Sequence, residues 1–213
     1  MRRIVRAASA GRSAAHCMIW LPGAYQALEE FLAAGFDAAV RERRLPLDLE
    51  FVDLEPAHLD DRAALRRLET DVLAGARARG ASSVWLAGIS LGGYLALDAY
   101  SAHPGAWDGL CLLAPFLGQR GLIAEIGAAG RLADWRPAPL AEDDEERRIW
   151  RFVQAGGLTA RPCLLGCGRE DRYAAASLLL ASALPAEAVQ IVTGGHDWST
   201  WRRLWELLLD TRF

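Results

Sequence analysis

Residues 84–93 read VWLAGISLGG, a buried-strand pattern that runs into a serine flanked by glycines and then into helical sequence. Glycine weakens a strand interior, so glycines at 88, 92 and 93 call for backbone room or unusual dihedrals. Gly88-x-Ser90-x-Gly92 at a strand-to-helix transition describes a tight, strained turn that projects the Ser90 hydroxyl. Such a five-residue match arises often by chance; its place between a strand and a helix gives it weight. A serine hydroxyl is a poor nucleophile at neutral pH. It needs a base, and a histidine base needs a carboxylate on its other nitrogen.

The four histidines sort by position. His16 opens a strand and is expected at the surface, and His58 lies in a loop before a helix. His103 precedes Pro104, where a helix C-terminus explains it. His196, in TGGHDW, follows the last strand at the same end of the sheet as Ser90, and its glycines leave room for the ring to reach inward. The acid is sought at another strand end. LLGCGREDRY offers Asp171, three residues after Gly168, with Glu170 as the alternative; Asp197 adjoins His196 too closely and reads as a loop residue. A developing oxyanion needs donors as well. The N–H after the nucleophile, on Leu91, is one; the loop IWLPGAY supplies the other from Ala24, with Tyr25 next in line, unless Pro22-Gly23 merely stops the strand.

These residues must be carried by an ordered set of elements. Short apolar runs alternate with helical patterns, the mark of a parallel α/β sheet. A weak leading strand lies around Ile4–Ala8, and HCMIWLPG, LDLEFVDLE, SSVWLAGIS, WDGLCLLAPF, RPCLLGCG and AVQIVTGG read as further strands. Between them AYQALEEFLAAGFDAAVRER and RAALRRLETDVLAGARARG read as single helices, the second ending at Gly80. LGGYLALDAYSAH, AAASLLLASAL and WSTWRRLWELLLD supply the remaining crossovers. Residues 117–161 break the rhythm and read as an insertion, either a solvated-face helix with an acidic first turn or a small lid. Trp135 and Trp150 within it would line an acyl pocket or anchor it, and FLGQRGLIAEI adds apolar candidates. Trp198, Trp201 and Trp205 recur at helical spacing and are expected in the core.

The 213 residues fit one domain. A net charge of −3 argues against nucleic acid or an anionic membrane as partner. All 24 basic residues are arginine, for which no physical reason is evident. Cys17, Cys111, Cys163 and Cys167 lie in apolar runs, lack zinc-site spacing and read as reduced core residues. With neither a signal-peptide stretch nor an apolar run near ~20 residues, a cytoplasmic location is expected.

LPGAY, GISLGG, GRED and GGHDW, each at an element boundary and in the order Ser…Asp…His, make the chain resemble the α/β-hydrolase superfamily from about residue 16 to the end. Its compact forms, without a large cap domain, are the most similar. The resemblance implies a mostly parallel central sheet with helices on both faces. It also implies Ser90 as nucleophile, His196 as general base and acid, Asp171 as the acid that orients it, and no metal or organic cofactor. Pro22-Gly23 stands where many members have His-Gly. Since the donor there is a backbone amide, the change need not disable the site, although it loosens the assignment to Ala24. A serine nucleophile points to hydrolysis of a small acyl ester or thioester. An acyltransferase, or a non-catalytic binding protein on the same scaffold, is the alternative. Natural substrate and oligomeric state are not legible.

Overall fold

The computed structural model describes residues 1–8, 14–54, 62–137, 139, 141 and 144–213; His58 and part of the acidic run 142–146 lie outside them. In chain order the elements are β1 (Arg2–Arg6), β2 (His16–Leu21), α1 (Leu28–Ala33), α2 (Phe36–Glu42), β3 (Leu47–Asp53), α3 (Arg62–Arg67), α4 (Ala74–Ala78), β4 (Ser83–Ile89) and α5 (Leu91–Ala102). They continue with β5 (Gly109–Leu113), α6 (Arg120–Ala128), α7 (Glu145–Gln154), β6 (Cys163–Gly168), α8 (Ala174–Ala181), β7 (Val189–Val192) and α9 (Trp198–Arg212).

The strands form one sheet in the order β1-β3-β2-β4-β5-β6-β7, and only β1 runs antiparallel. Because strand side chains alternate between faces, the parallel strands divide their apolar residues between two cores. Cys17, Ile19, Val84, Leu86 and Leu112 face one side, covered by α4 to α8. Met18, Trp20, Phe51, Trp85 and Leu113 face the other, covered by α1, α2 and α9. The expected mostly parallel sheet with helices on both faces is what the chain adopts. All four cysteines are free and buried.

Three elements differ from expectation. The first long helix breaks at Gly35, whose φ of 80° lies in the left-handed region; Arg202 donates to the Ala34 carbonyl oxygen (3.2 Å), which the break releases, and to that of Gly35, which also accepts the Ala39 N–H (3.0 Å) at the start of α2. The second is interrupted by a π-helical turn over Leu68–Leu73, which lies between α3 and α4. Strand β3, whose sequence alternates, is buried along nearly its whole length because β1 covers its outer edge. Its Glu50 is fully buried, where the guanidinium groups of Arg3 (3.3 Å) and Arg79 offset its desolvation. Asp48 accepts from the N–H groups of Ala8 (2.8 Å) and Ala14 (3.4 Å).

Sheet order fixes where a site can form. From β2 the chain moves outward to β3, whereas from neighbouring β4 it moves the other way to β5. The crevice beyond the carboxyl ends of β2 and β4 is therefore a topological switch point, where open α/β sheets place ligands. Leu21 pairs with Gly88, so the Pro22-Gly23 loop and Ser90 emerge side by side into it. Residues 117–161 contribute α6 and α7 away from this crevice. Trp135 and Trp150 are buried in the core beside α5, with Trp150 Nε1 donating to the Leu117 carbonyl at 2.8 Å, so both anchor the segment.

Candidate active site

Ser90 links β4 to α5 with φ 54° and ψ −118°, a conformation that costs a non-glycine residue on the order of 1–3 kcal/mol. Four backbone hydrogen bonds hold it there. Its N–H donates to Leu113 O (3.0 Å), and its carbonyl accepts from the N–H groups of Gly93 (3.0 Å), Tyr94 (3.2 Å) and Phe116 (2.9 Å). The turn is tight enough that a Cβ on Gly88 would lie 2.1 Å from Gly92 O, and one on Gly92 would lie 2.2 Å from Leu21 O. These close approaches are why the sequence places glycine on both sides of the serine.

His196 reaches Ser90 from the loop after β7. Its Nε2 lies 2.9 Å from Ser90 Oγ, and its Nδ1 lies 2.7 Å from Asp171 Oδ2. The carboxylate comes from the turn after β6, where its side chain is fully buried and its other oxygen accepts the Tyr173 N–H at 2.7 Å. Glu170 is directed elsewhere: its carboxylate accepts the Gly194 N–H at 2.5 Å and so secures the histidine loop. Asp197 is more than a loop residue. It caps α9, accepting from Thr200 N–H (2.9 Å) and Ser199 Oγ (2.6 Å), and these hydrogen bonds, the Ser199 hydroxyl foremost, hold its carboxyl below the usual range.

The other described histidines lie apart from this group. His103 pairs with Glu69 (2.8 Å) at the end of α5. His16, expected at the surface, is half-buried and packs edge-on against Phe213, with ring centroids 5.8 Å apart.

Aromatic rings fix the imidazole plane. Tyr173 and Trp201 both meet it edge-to-face, at centroid distances of 5.0 and 4.9 Å. Phe116 packs against Tyr173 at 5.6 Å while its own N–H holds Ser90. Serine, acid and histidine are thereby tied to one another through Phe116 and Tyr173 as well as directly.

The Pro22-Gly23 loop is folded on Gln26, whose Oε1 accepts the Gly23 N–H at 2.7 Å. This leaves the N–H groups of Ala24 and Tyr25 without an acceptor among the described residues, and so is that of Leu91 at the start of α5. All three residues line the cavity over Ser90, so the alternatives Ala24 and Tyr25 are both present there. Tyr25 is fully exposed with φ 63°.

That cavity measures about 760 Å³ and is walled by Phe116, Tyr173, Trp198 and Trp201, with Arg172 and Asp197 also among its lining. Trp198 and Trp201, expected only in the core, thus also border the site. Of the apolar stretch 116–126, Phe116 alone does so, and no described residue of 117–161 lines the cavity. The part played by Tyr173 was missed in the sequence; the one signal was its position two residues after Asp171. Among the described residues no three His, Cys, Asp or Glu side chains are grouped to hold a metal ion. No described helix is long and apolar enough to cross a membrane. A buried hydroxyl hydrogen-bonded to an imidazole, with N–H donors beside it that have no acceptor among the described residues, is suited to addition at a carbonyl carbon.

No family model and no curated protein sequence matches the chain. Solved structures do. Est1E from Butyrivibrio proteoclasticus is similar with a TM-score of 0.66 at 15% identity, covering 98% of this chain and 93% of its own. An S-formylglutathione hydrolase from Agrobacterium tumefaciens is similar with a TM-score of 0.63 at 13% identity, covering 98% and 87%. A predicted CIB-like hydrolase from Thermoplasma acidophilum gives 0.60 at 16% identity, covering 98% and 92%. At these identities the likeness is one of fold.

Proposed function

We propose that this chain, which has the α/β-hydrolase fold, is a serine hydrolase that cleaves a carboxylic ester or thioester through an acyl-enzyme. The observation that carries the reading is the continuous hydrogen-bonded line from Asp171 Oδ2 through His196 to Ser90 Oγ, at 2.7 and 2.9 Å. The similar solved structures include esterases and S-formylglutathione hydrolases, which supports hydrolysis of an acyl bond.

In the first half-reaction Ser90 Oγ bonds to the carbonyl carbon as its proton passes to His196 Nε2. The carbonyl π electrons move onto oxygen, which the N–H groups of Leu91 and Ala24 receive; one such donor is worth roughly 10²–10³ in rate. Asp171 accepts Nδ1–H and stabilises the imidazolium. Collapse of the intermediate breaks the bond to the leaving oxygen or sulfur, which takes the Nε2 proton and departs as alcohol or thiol. Water then repeats the sequence on the acyl-Ser90, with His196 again base and then acid, and releases the carboxylic acid. The cycle calls on no metal or organic cofactor.

Turnover of short-chain ester and thioester panels by the wild type and by Ser90→Ala tests this reading. The variant is expected to keep its fold by circular dichroism and to lose turnover. A wild-type rate retained in it would contradict the proposal.

A further inference from the structure

The walls of the site differ on its two sides, and the proton path says which side receives which half of the substrate. His196 Nε2 must hand its proton to the leaving oxygen or sulfur, so that atom sits within hydrogen-bond reach of the imidazole. The imidazole itself lies between Tyr173 and Trp201, at 5.0 and 4.9 Å. Whatever is bonded to the leaving atom therefore enters among Phe116, Tyr173, Trp198 and Trp201, in the cavity of about 760 Å³. Phe116, Tyr173 and Trp198 are each only half-buried. Their rings already alternate edge against face with one another and with His196, the arrangement into which a further ring fits. The indole N–H of Trp198 is occupied by Glu30 Oε2 at 3.0 Å, which leaves ring carbon to meet a ligand. Across the Gly23–Gln26 loop lies a second, smaller cavity of about 380 Å³, whose wall is mainly aliphatic, from Leu21, Pro22, Leu54, Leu91 and Leu95, with Tyr25, Gln26 and Asp53 also among its lining.

Resting on the hydrolase reading above, we infer that the alcohol or thiol half of the substrate carries a planar aromatic ring, held by Phe116, Tyr173, Trp198 and Trp201, while the acyl half is the smaller, aliphatic one. Polar recognition of the ring is subordinate: the charged groups lining the larger cavity are Arg172, set over the Tyr173 ring at 5.2 Å, Asp197, engaged as a helix cap, and His196 itself.

Two matched ester pairs test this. Benzyl acetate and cyclohexylmethyl acetate share an acid and have primary-alcohol leaving groups; methyl phenylacetate and methyl cyclohexylacetate place the same rings on the acyl side. The wild type is expected to prefer the benzyl ester by about tenfold in kcat/KM, the scale of one or two edge-to-face contacts, and to show no aromatic preference in the second pair. Trp198→Leu should shrink the first ratio. Equal rates in the first pair, or an aromatic preference confined to the second, would overturn the assignment while leaving the hydrolase reading intact. A wild type that turns over none of the four esters and takes no fluorophosphonate adduct would sink both.

Discussion

Replacing Gly88 by alanine sets a methyl group 2.1 Å from Gly92 O, 2.3 Å from Gly92 C and 2.6 Å from Gly93 N. All three atoms belong to the backbone of the first turn of α5, so no side chain can rotate away. The helix start must withdraw by roughly 1 Å, since real Cβ contacts essentially never fall under 3.0 Å. Over-packing of this kind costs about 1–3 kcal/mol in folding. The same movement carries Ser90 away from His196, whose hydrogen bond now spans 2.9 Å, and a misplacement near 1 Å costs about 10²-fold in rate. Gly127→Ala in α6 is the control: its added Cβ meets nothing within 4 Å, and alanine should stabilise that helix by about 0.5–1 kcal/mol. Urea unfolding and ester turnover on the two variants read both effects. If Gly88→Ala matches wild type in stability and turnover, the close-approach argument for the elbow is wrong.

Asp171→Asn should lower kcat by about 10³–10⁴ with little loss of stability, because an amide NH₂ facing Nδ1 selects the tautomer whose Nε2 already carries a proton. Glu170→Ala removes only a brace on the Gly194 N–H, and its turnover should fall by at most about tenfold; equal losses in the two variants would reverse the assignment of the acid. Asp197→Ala should cost about 1 kcal/mol as a lost cap. The Asp197 carboxyl is held below its ordinary pKa, so its contribution is present above the unfolded value and disappears as pH falls through the folded one. The stability gap between variant and wild type should therefore close in acid, and a gap unchanged down to about pH 2 would contradict it. Burial pushes the thiols of Cys163 and Cys167 up to about 12 and 11 and raises those of Cys17 and Cys111 as well. Iodoacetamide at about pH 8 should label none in the folded protein and all four in urea, counted by intact mass.

The parts of the site legible in the sequence are those fixed by backbone geometry at strand ends. Ser90 is marked by glycines that only a close approach explains, and His196 and Asp171 each follow a strand that periodicity locates. The walls of the cavity were not legible in this way. Trp198 and Trp201 sit on α9 at a spacing that serves core and cavity alike, and nothing in the local pattern separates the two uses. Tyr173 acts through its backbone N–H on Asp171 and its ring on His196, and neither contact leaves a periodic trace. The break at Gly35 escaped for a similar reason: the apolar spacing runs through it, and the partner that satisfies the freed Ala34 carbonyl, Arg202, lies far along the chain. The burial of β3 depended on β1, a strand so exposed that its own sequence signals it weakly.

The central claim is that Ser90 is a nucleophile activated by His196 and Asp171. A small fluorophosphonate offered to the purified wild type and to Ser90→Ala, with intact mass and peptide mapping, tests it most directly. The account predicts one adduct per wild-type chain, mapped to Ser90, and none on the variant. A folded wild type that remains unlabelled, or a label that persists on Ser90→Ala, would contradict it.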